Sequence, residues 1–342
     1  MANNYRTGDA EVDAAIAALV DRLGREDDRA LLFEMLVSAY RMGSEGFDRG
    51  ELKLVNSALK EIRYAFGLFE PYHEARKLSI FGSARIQSHD AIYQCAHDLG
   101  EAMAARDWMI MTGAGPGIMQ AGIEGAGAAN SFGINIMLPF EPEAAPIIAG
   151  DPKLINFRYF FTRKLTFMKE SHAFALLPGG FGTMDESFEL LTLMQTGKQP
   201  LTPVVLLDPP GETYWATWLD FVQRELLDNG LIAAADLDLV RLTDSVDDAV
   251  EEICGFYTRY HSMRYVGSRL ILRLSTDIDE ATLTELNQEF ADIVVKGDIH
   301  RTDPTPSELE DGDAVGLPRL AMHFNRASFS RLRSLIRRIN ER

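Results

Sequence analysis

The stretch Leu-Leu-Pro-Gly-Gly-Phe-Gly-Thr-Met-Asp-Glu, residues 176–186, leads from an apolar run through a glycine-rich turn into residues that suit the start of a helix. Such a strand–turn–helix unit is the repeating part of a parallel sheet with crossover helices. Glycines let a backbone approach a phosphate closely, and the free N–H groups of a helix start attract an anion. The stretch therefore predicts an α/β fold and a candidate anion site.

Short apolar runs alternate with helical stretches on both sides of this turn. The predicted strands are 78–81, 108–111, 134–138, 173–177, 204–207 and a weaker one at 239–242; the predicted helices are 90–106, 117–129, 156–171, 184–196 and 214–228. Runs that are apolar throughout are typical of strands buried on both faces. We predict a Rossmann-like, doubly wound parallel sheet over residues 75–261.

The two ends of the chain have other patterns. Apolar residues recur at helical spacing before residue 75, which predicts a helical N-terminal region over 1–74. Residues 262–342 predict a small α/β appendage in the order strand, helix, strand, strand, helix. Its predicted strands are 270–274 and 319–324, its helices are 280–295 and 329–340, and a polar loop covers 302–316.

The composition is that of a soluble globular enzyme, with 46% hydrophobic and 25% charged residues among 342. No apolar run is long enough to span a bilayer, the N-terminus lacks a signal-peptide core, and the two cysteines have no metal-like spacing. We expect a cytoplasmic protein. The net charge of −17 argues against nucleic-acid or membrane partners, so an anionic substrate would need a local cluster of positive charge.

Three predicted strands end in turns with special chemistry, at the edge where open parallel sheets bind ligands. The turn after 78–81 offers the Ser83 hydroxyl and the Arg85 cation. The turn after 108–111 carries Gly113, Gly115 and Gly117, and the third turn is the opening stretch. We expect these turns to line one pocket.

Other enzyme classes fit the motifs poorly. A dinucleotide fingerprint would need glycine where Ile118 stands, so an NAD-dependent oxidoreductase is disfavoured. No P-loop and no G-x-S-x-G elbow occurs, and the seven histidines form no motif for a metal site. A pyridoxal-phosphate enzyme would need Lys164 as its Schiff-base lysine. We expect neither a metal nor another cofactor.

Residues 153–169 form a basic segment with no acidic residue, which contains Lys153, Arg158, Arg163, Lys164 and Lys169. In the predicted helix 156–171, Lys164 falls in an apolar stripe that includes Phe157, Phe160, Phe161, Leu165 and Met168. The other face combines Arg163 with Tyr159 and Phe167. Such a helix would be buried in a core or against a second subunit. Its charges would then hold an anion, or form a structural ion pair.

The Thr183-Met-Asp-Glu186 segment has two interpretations. It fits a capping box, in which Thr183 caps a helix and Glu186 bonds back to the cap. The other interpretation places Glu186 in the first helical turn beside a bound phosphate, where its carboxylate could take part in chemistry.

Arg163-Lys164, followed by Pro178-Gly-Gly-Phe-Gly-Thr-Met-Asp-Glu186, resembles the signatures of the LOG (LONELY GUY) family. The turn at 113–119 is similar to the glycine turn of that family. The segments 81–85 and 138–141 resemble its longer, bacterial-type members. The resemblance covers about residues 75–210, and the segments before and after it have no counterpart in the shorter members.

The resemblance implies hydrolysis of the N-glycosidic bond of a nucleoside 5′-monophosphate, and it implies a dimer; we expect a homodimer or a higher homo-oligomer. It implies a catalytic pair, Arg163 and Glu186, although their individual roles stay open. Substrate binding would fall to Gly179, Gly180, Gly182 and Thr183 at the phosphate, and to Gly113, Gly115, Gly117 and Lys164 in the same pocket. The alternative is a nucleotide-binding or carrier protein that keeps the pocket and performs no hydrolysis.

Seven arginines against one acidic residue lie between Arg319 and Arg342. They fit either a solvated basic face on a docked helix or an effector site for a phosphorylated small molecule.

Overall fold

The structure, a computed structural model, describes residues 5–138, 144–312 and 314–341. The chain forms two compact units, one extending to Tyr64 and the other beginning at Ala65. No helix in the described ranges is long and apolar enough to cross a membrane.

The first unit is helical. Its helices are α1 (Ala10–Asp21), α2 (Arg29–Ser44) and α3 (Arg49–Phe69), the last of which continues into the second unit. The side chain of Asp9 caps α1 by accepting hydrogen bonds from the N–H groups of Glu11 and Val12. A small core forms where Val20 of α1 meets Phe33 and Val37 of α2.

The second unit contains the predicted parallel sheet, and its seven strands confirm the doubly wound fold class. The strands are β1 (Lys77–Phe81), β2 (Met109–Thr112), β3 (Ser131–Ile136), β4 (Leu154–Phe157), β5 (Ala173–Leu176), β6 (Val204–Leu207) and β7 (Arg241–Thr243). Their order is β4-β3-β2-β1-β5-β6-β7, and every pair is parallel. The chain therefore reverses direction across the sheet between β1 and β5, which creates the switch point where ligands bind.

Helices cover both faces of this sheet. They are α4 (Ala91–Ala104), α5 (Ile118–Ala126), α6 (Phe160–Glu170), α7 (Phe181–Gln195), α8 (Tyr214–Phe221) and α9 (Val246–Gly255). The last of them was not predicted. Residues 156–171 were predicted as one helix, but the structure starts with β4, because Ile155 and Phe157 alternate inward and pair with β3. Phe157 therefore lies on a strand and not on the face of α6.

A second, antiparallel sheet follows, with the order β10-β11-β9-β8. Its elements are β8 (Tyr260–Val266), β9 (Arg269–Leu274), α10 (Glu280–Glu289), β10 (Val294–Arg301), α11 (Pro306–Asp311), β11 (Arg319–Phe324) and α12 (Phe329–Asn340). The predicted order of strand, helix, strand, strand and helix matches β9, α10, β10, β11 and α12. The prediction lacked β8, read α11 as loop and extended the first helix into the start of β10. One continuous apolar core joins both sheets, and the boundaries at 74/75 and 261/262 stay predictions.

Candidate active site

The three glycine-rich turns meet at the carboxyl edge of the parallel sheet. The N–H of Ser83 donates to the carbonyl of Pro178 at 3.1 Å, which joins the turns after β1 and β5. The N–H of Ile118 donates to the carbonyl of Ser83 at 3.1 Å, which adds the turn after β2. The backbone thus builds one continuous surface at the switch point.

Two glycines allow this close approach. Gly117 has a φ of 69°, and a Cβ there would overlap the carbonyl oxygen of Ser83. A Cβ on Gly179 would overlap the hydroxyl of Thr183. In contrast, a Cβ on Gly180 or Gly182 would meet no described atom within 4 Å. The backbone at these two positions therefore faces open space in which a ligand can lie.

Helix α7 begins inside the opening stretch, earlier than its predicted start at 184. Gly180 is its N-cap residue and Phe181 its first residue, and no side chain bonds to the cap. Thr183 lies in the first turn and Glu186 in the second, so the capping-box interpretation and the first-turn placement of Glu186 are both wrong. The first N–H groups of α7 have no acceptor within the helix and point towards the turn.

Glu186 is 5% exposed, and its Oε2 accepts no hydrogen bond from the described residues. The ammonium of Lys164 forms an ion pair with this oxygen, from which its Nζ lies 3.4 Å away. Burial raises the pKa of Glu186, although the charges of Lys164 and Arg163 oppose the increase. A carboxylate in this state is a better base than an exposed one.

Lys164 lies among three carboxylates. Its Nζ contacts Glu189, lies 3.0 Å from Asp185 and 3.4 Å from Glu186. Burial alone would lower its pKa, but the bonds to Glu189 and Asp185 and the charge of Glu186 outweigh burial and raise it. Lys164 is therefore an ammonium that orients Glu186 from the side. Asp185 and Glu189 were missed from sequence, although the i, i+4 spacing of these two acids on α7 was a usable signal.

Arg163 is aimed at the glycine turn after β2. Its Nε donates to the carbonyl of Ile134 at 2.7 Å, and its guanidinium lies 5.3 Å from the ring centre of Phe167. A Cβ on Gly113 would overlap this guanidinium. The predicted pairing of Arg163 with the Phe167 face is thus observed, and the guanidinium reaches the same pocket as Glu186.

Ser83 and Arg85, the two predicted residues of the turn after β1, have different surroundings. The Ser83 hydroxyl accepts a hydrogen bond from the N–H of Arg85 at 3.1 Å, while the Arg85 side chain is exposed. Met119, which the sequence did not single out, lies against the positions where Gly113 and Gly115 would carry a Cβ. Tyr214 was also missed. Its hydroxyl donates to the carbonyl of Gly179 at 2.5 Å and so fixes the backbone of the turn after β5.

The basic segment 153–169 contains two lysines that pair with acids and an apolar face that is exposed. Lys153 bonds to Asp151 at 2.8 Å, and Lys169 pairs with Glu170, so the charges of both lysines are balanced by a neighbouring carboxylate. The segment also has an apolar face that is exposed in the single chain, so this face is not buried in the core, and burial against a second subunit stays a prediction. That face and the neighbouring start of α7 expose Phe160, Phe161, Leu165, Phe181 and Phe188, with Phe181 95% exposed.

Two further expectations concern regions outside these turns. The arginines of the C-terminal segment mostly pair with acids: Arg319 with Glu308, Arg331 with Asp292, Arg333 with Glu252, Arg337 with Glu341 and Arg338 with Glu285. These ion pairs favour a basic face on a docked helix over an effector site in the C-terminal segment. The 138–141 segment extends outside the described residues.

Comparison with known proteins gives consistent matches. Residues 115–253 match the family described as "Possible lysine decarboxylase". The chain is 30% identical over 168 residues to the cytokinin riboside 5′-monophosphate phosphoribohydrolase of Mycobacterium tuberculosis, which covers 48% of this chain and 86% of that protein. It is 28% identical over 159 residues to the pyrimidine/purine nucleotide 5′-monophosphate nucleosidase of Escherichia coli, covering 44% and 35% of the two chains.

Among solved structures, the Moco carrier protein of Chlamydomonas reinhardtii is 22% identical over 52% of this chain and 93% of its own. The TM-score of this match is 0.33.

Proposed function

This chain belongs to the LOG family, and we propose that it hydrolyses the N-glycosidic bond of a nucleoside 5′-monophosphate. The products are a free base and ribose 5-phosphate. The two curated relatives are named for a cytokinin nucleotide and for purine and pyrimidine nucleotides, which share the ribose 5-phosphate group. The proposal therefore covers an AMP-like or a cytokinin nucleotide.

The observation that carries the proposal is the state of Glu186. Its Oε2 is buried without a hydrogen-bond donor, at the edge of the sheet where the glycine turns meet. Lys164 forms an ion pair with this oxygen, but no hydrogen bond from the described residues reaches it, and a buried oxygen in that state costs free energy unless a ligand satisfies it. Its raised pKa and its position suit a group that accepts a proton or stabilises positive charge.

The phosphate has a suitable place beside this carboxylate. The start of α7 presents free N–H groups, and Gly180 and Gly182 leave the space in front of them open. Arg163, aimed at Gly113, supplies a cation in a chain whose net charge is −17. We assign the phosphate to the α7 turn and the nucleoside to the pocket between Gly113 and Glu186.

The reaction then needs few groups. A water oxygen bonds to C1′ of the ribose while the C1′–N bond breaks and its electron pair moves to the base. The transition state is positively charged at the ribose ring, and the Glu186 carboxylate stabilises that charge. Glu186 takes the proton that the water loses, and the leaving base gains a proton from solvent. Lys164 holds the carboxylate in place throughout.

The residues do not suit a decarboxylase that uses pyridoxal phosphate. Lys164 is the candidate Schiff-base lysine, and its ammonium is bound to three carboxylates, which raise its pKa. A Schiff base requires a neutral amine, so this environment opposes its formation.

We further propose a cytoplasmic homodimer. Both cysteines are free, which suits a reducing compartment. The exposed apolar side chains of α6 and of the α7 start lie next to the pocket and form a surface that a second copy would cover. A mass near twice 38.1 kDa in light scattering is the expected result.

The test is product formation from AMP, GMP, CMP, UMP and isopentenyl-AMP. We expect free base and ribose 5-phosphate in equal amounts from at least one of them. Nucleotide binding without base release from any of the five would instead support the carrier alternative.

A further inference from the structure

The turn after β5 has two consecutive carbonyl groups that both accept hydrogen bonds. The carbonyl of Pro178 accepts from the N–H of Ser83 at 3.1 Å. The carbonyl of Gly179 accepts from the hydroxyl of Tyr214 at 2.5 Å. The first bond joins two backbone groups, whereas the second depends on a single side chain. Substitution of Tyr214 therefore changes this turn without changing its own sequence.

Tyr214 is held in place at the start of α8. The carboxylate of Asp208, directly after β6, accepts from the N–H of Trp215 at 3.0 Å. The Trp215 ring is fully buried and packs edge-on against the ring of Tyr214, with the ring centres 5.0 Å apart. Because β6 pairs with β5, the Tyr214 hydroxyl reaches the turn after β5 from the neighbouring strand.

The bond to Gly179 sets the direction of the next N–H group. A C=O group and the N–H of the following residue lie in one plane, and in a trans peptide they point in opposite directions. With the Gly179 carbonyl held by Tyr214, the N–H of Gly180 points away from Tyr214. It donates to no backbone carbonyl of the described residues. This N–H is therefore a donor that a ligand in the open space at Gly180 can use.

The opposite orientation of this peptide is also sterically accessible. A half turn of the peptide plane carries the φ of Gly180 from −93° to a positive value, which glycine adopts as readily as a negative one. Both residues of the peptide are glycines, so no Cβ opposes the rotation. In the turned orientation the Gly179 carbonyl oxygen, and not the Gly180 N–H, would face the phosphate, and two negative groups would repel.

We propose that Tyr214 is a positioning residue, which holds the peptide between Gly179 and Gly180 in the orientation that binds phosphate. The inference deepens the proposed function and rests on its assignment of the phosphate to the start of α7. Tyr214 acts through the backbone and contacts no reacting atom. A donor that is oriented before the ligand arrives increases affinity, because binding does not have to order it.

Tyr214→Phe removes the hydroxyl and keeps the ring that packs against Trp215. We expect the Kd of ribose 5-phosphate, measured by calorimetry, to rise about tenfold, since a hydrogen bond to a charged group loses its oriented donor. The KM for AMP should rise by a similar factor while kcat changes by less than about twofold, because Glu186 and Lys164 are untouched. An unchanged Kd would overturn the proposal. Failure of the wild-type protein to bind ribose 5-phosphate at millimolar concentration would also overturn it.

Tyr257 provides a matched control at the other end of β5. Its hydroxyl donates to the carbonyl of His172, the residue before β5, at 2.7 Å. Tyr257→Phe therefore removes the same kind of bond and should leave the Kd of ribose 5-phosphate unaltered. Equal weakening by both variants would indicate a general loosening of the fold and would contradict the role of Tyr214.

These binding measurements do not depend on hydrolysis, because ribose 5-phosphate is the proposed product. If no nucleotide releases its base, the proposed hydrolysis fails, while the Kd comparison still decides whether Tyr214 positions a phosphate-binding donor.

The peptide orientation itself is tested by combining Tyr214→Phe with Gly180→Ala. Alanine disfavours a positive φ, so the turned peptide becomes unfavourable even without the Tyr214 hydroxyl. In the Gly180→Ala background, Tyr214→Phe should therefore raise the Kd of ribose 5-phosphate by less than about twofold, against about tenfold in the wild-type background. The same factor in both backgrounds would overturn peptide orientation as the cause.

Discussion

Two buried glutamates, Glu186 and Glu308, have opposite environments. Glu308, on α11 of the second unit, is completely buried, and its Oε1 accepts bonds from Arg273 at 2.8 and 2.9 Å and from Arg319 at 3.3 Å. Its Oε2 accepts from the N–H and the hydroxyl of Thr305 at 3.0 and 2.8 Å. Burial would raise the pKa of Glu308, but these bonds and charges lower it to about 2.

Glu186 is almost as deeply buried, yet its Oε2 has no hydrogen-bond donor and its pKa is raised. The difference separates two uses of a buried carboxylate. Where every lone pair is satisfied, the group ties elements together; where one is left open at a ligand-binding edge, the group is available for chemistry.

The largest expected effect comes from Glu186→Gln. Loss of the carboxylate should lower kcat for nucleoside monophosphate hydrolysis by about 10²- to 10⁴-fold, as removal of a general base does. AMP binding should persist, because the α7 turn is untouched, and the variant should unfold at the wild-type temperature or slightly higher. Steady-state kinetics and calorimetry measure these quantities. Glu189→Gln, which removes only a partner of Lys164, is the matched control and should lose about tenfold at most.

Glu308→Gln should affect stability instead of rate. It leaves Arg273 and Arg319 buried without their anion, and breaking a buried ion pair in this way costs about 3–5 kcal/mol of unfolding free energy. Urea unfolding of this variant beside Glu310→Gln, an exposed neighbour, measures the loss. A Glu308 variant as stable as the control would remove one side of the comparison.

The pH dependence of the two glutamates should differ in sign. Glu308 has a lowered pKa, so its contribution to stability is complete above the ordinary value of 4.5 and disappears as the pH falls towards 2. Glu186 has a raised pKa, so stability declines as the pH rises from 4.5 through that value. Glu308→Gln should reduce the loss of unfolding free energy as the pH falls below 4.5. Glu186→Gln should remove the loss of unfolding free energy as the pH rises above 4.5.

The same raised pKa predicts the acid limb of kcat/KM. Activity should fall as Glu186 takes up a proton, at a pH above that of an ordinary glutamate. An acid limb at or below 4.5 would place the working group elsewhere.

The smallest expected effect comes from the phosphate turn. Gly180→Ala adds a methyl group that meets no protein atom within 4 Å, so the fold should tolerate it. The methyl group enters the space assigned to the phosphate and should raise KM for AMP by about tenfold, equivalent to one lost hydrogen bond to a charged group. Gly255→Ala is the matched control, because Gly255 lies in α9 and a Cβ there would meet no atom within 4 Å. Equal KM values for Gly180→Ala and Gly255→Ala would place the phosphate elsewhere.

The sequence was sufficient for the parallel sheet, because strands such as Val204–Leu207 are short runs of fully apolar residues. It was insufficient for β4, whose apolar residues merge with the pattern of α6, and for β10 (Val294–Arg301), which buries only Ile299 completely and so lacks a continuous apolar face. The glycine turns were recognisable because their chemistry is local.

The environment of Glu186 was not predictable in this way. Its cations come from α6, about twenty residues earlier, and its burial depends on how α6 and α7 pack. The same holds for Glu308, whose arginines lie on β9 and β11. Sequence spacing identifies a carboxylate, but only tertiary contacts decide whether it is satisfied.

The most direct test measures base release from AMP and thermal unfolding on the same samples of wild type, Glu186→Gln and Glu308→Gln. The account predicts that Glu186→Gln loses base release and keeps the wild-type unfolding temperature. It predicts that Glu308→Gln unfolds at a lower temperature and keeps its rate per folded molecule. Full base release by a folded Glu186→Gln would contradict the central claim that this buried carboxylate, whose Oε2 accepts no hydrogen bond from the described residues, performs the chemistry.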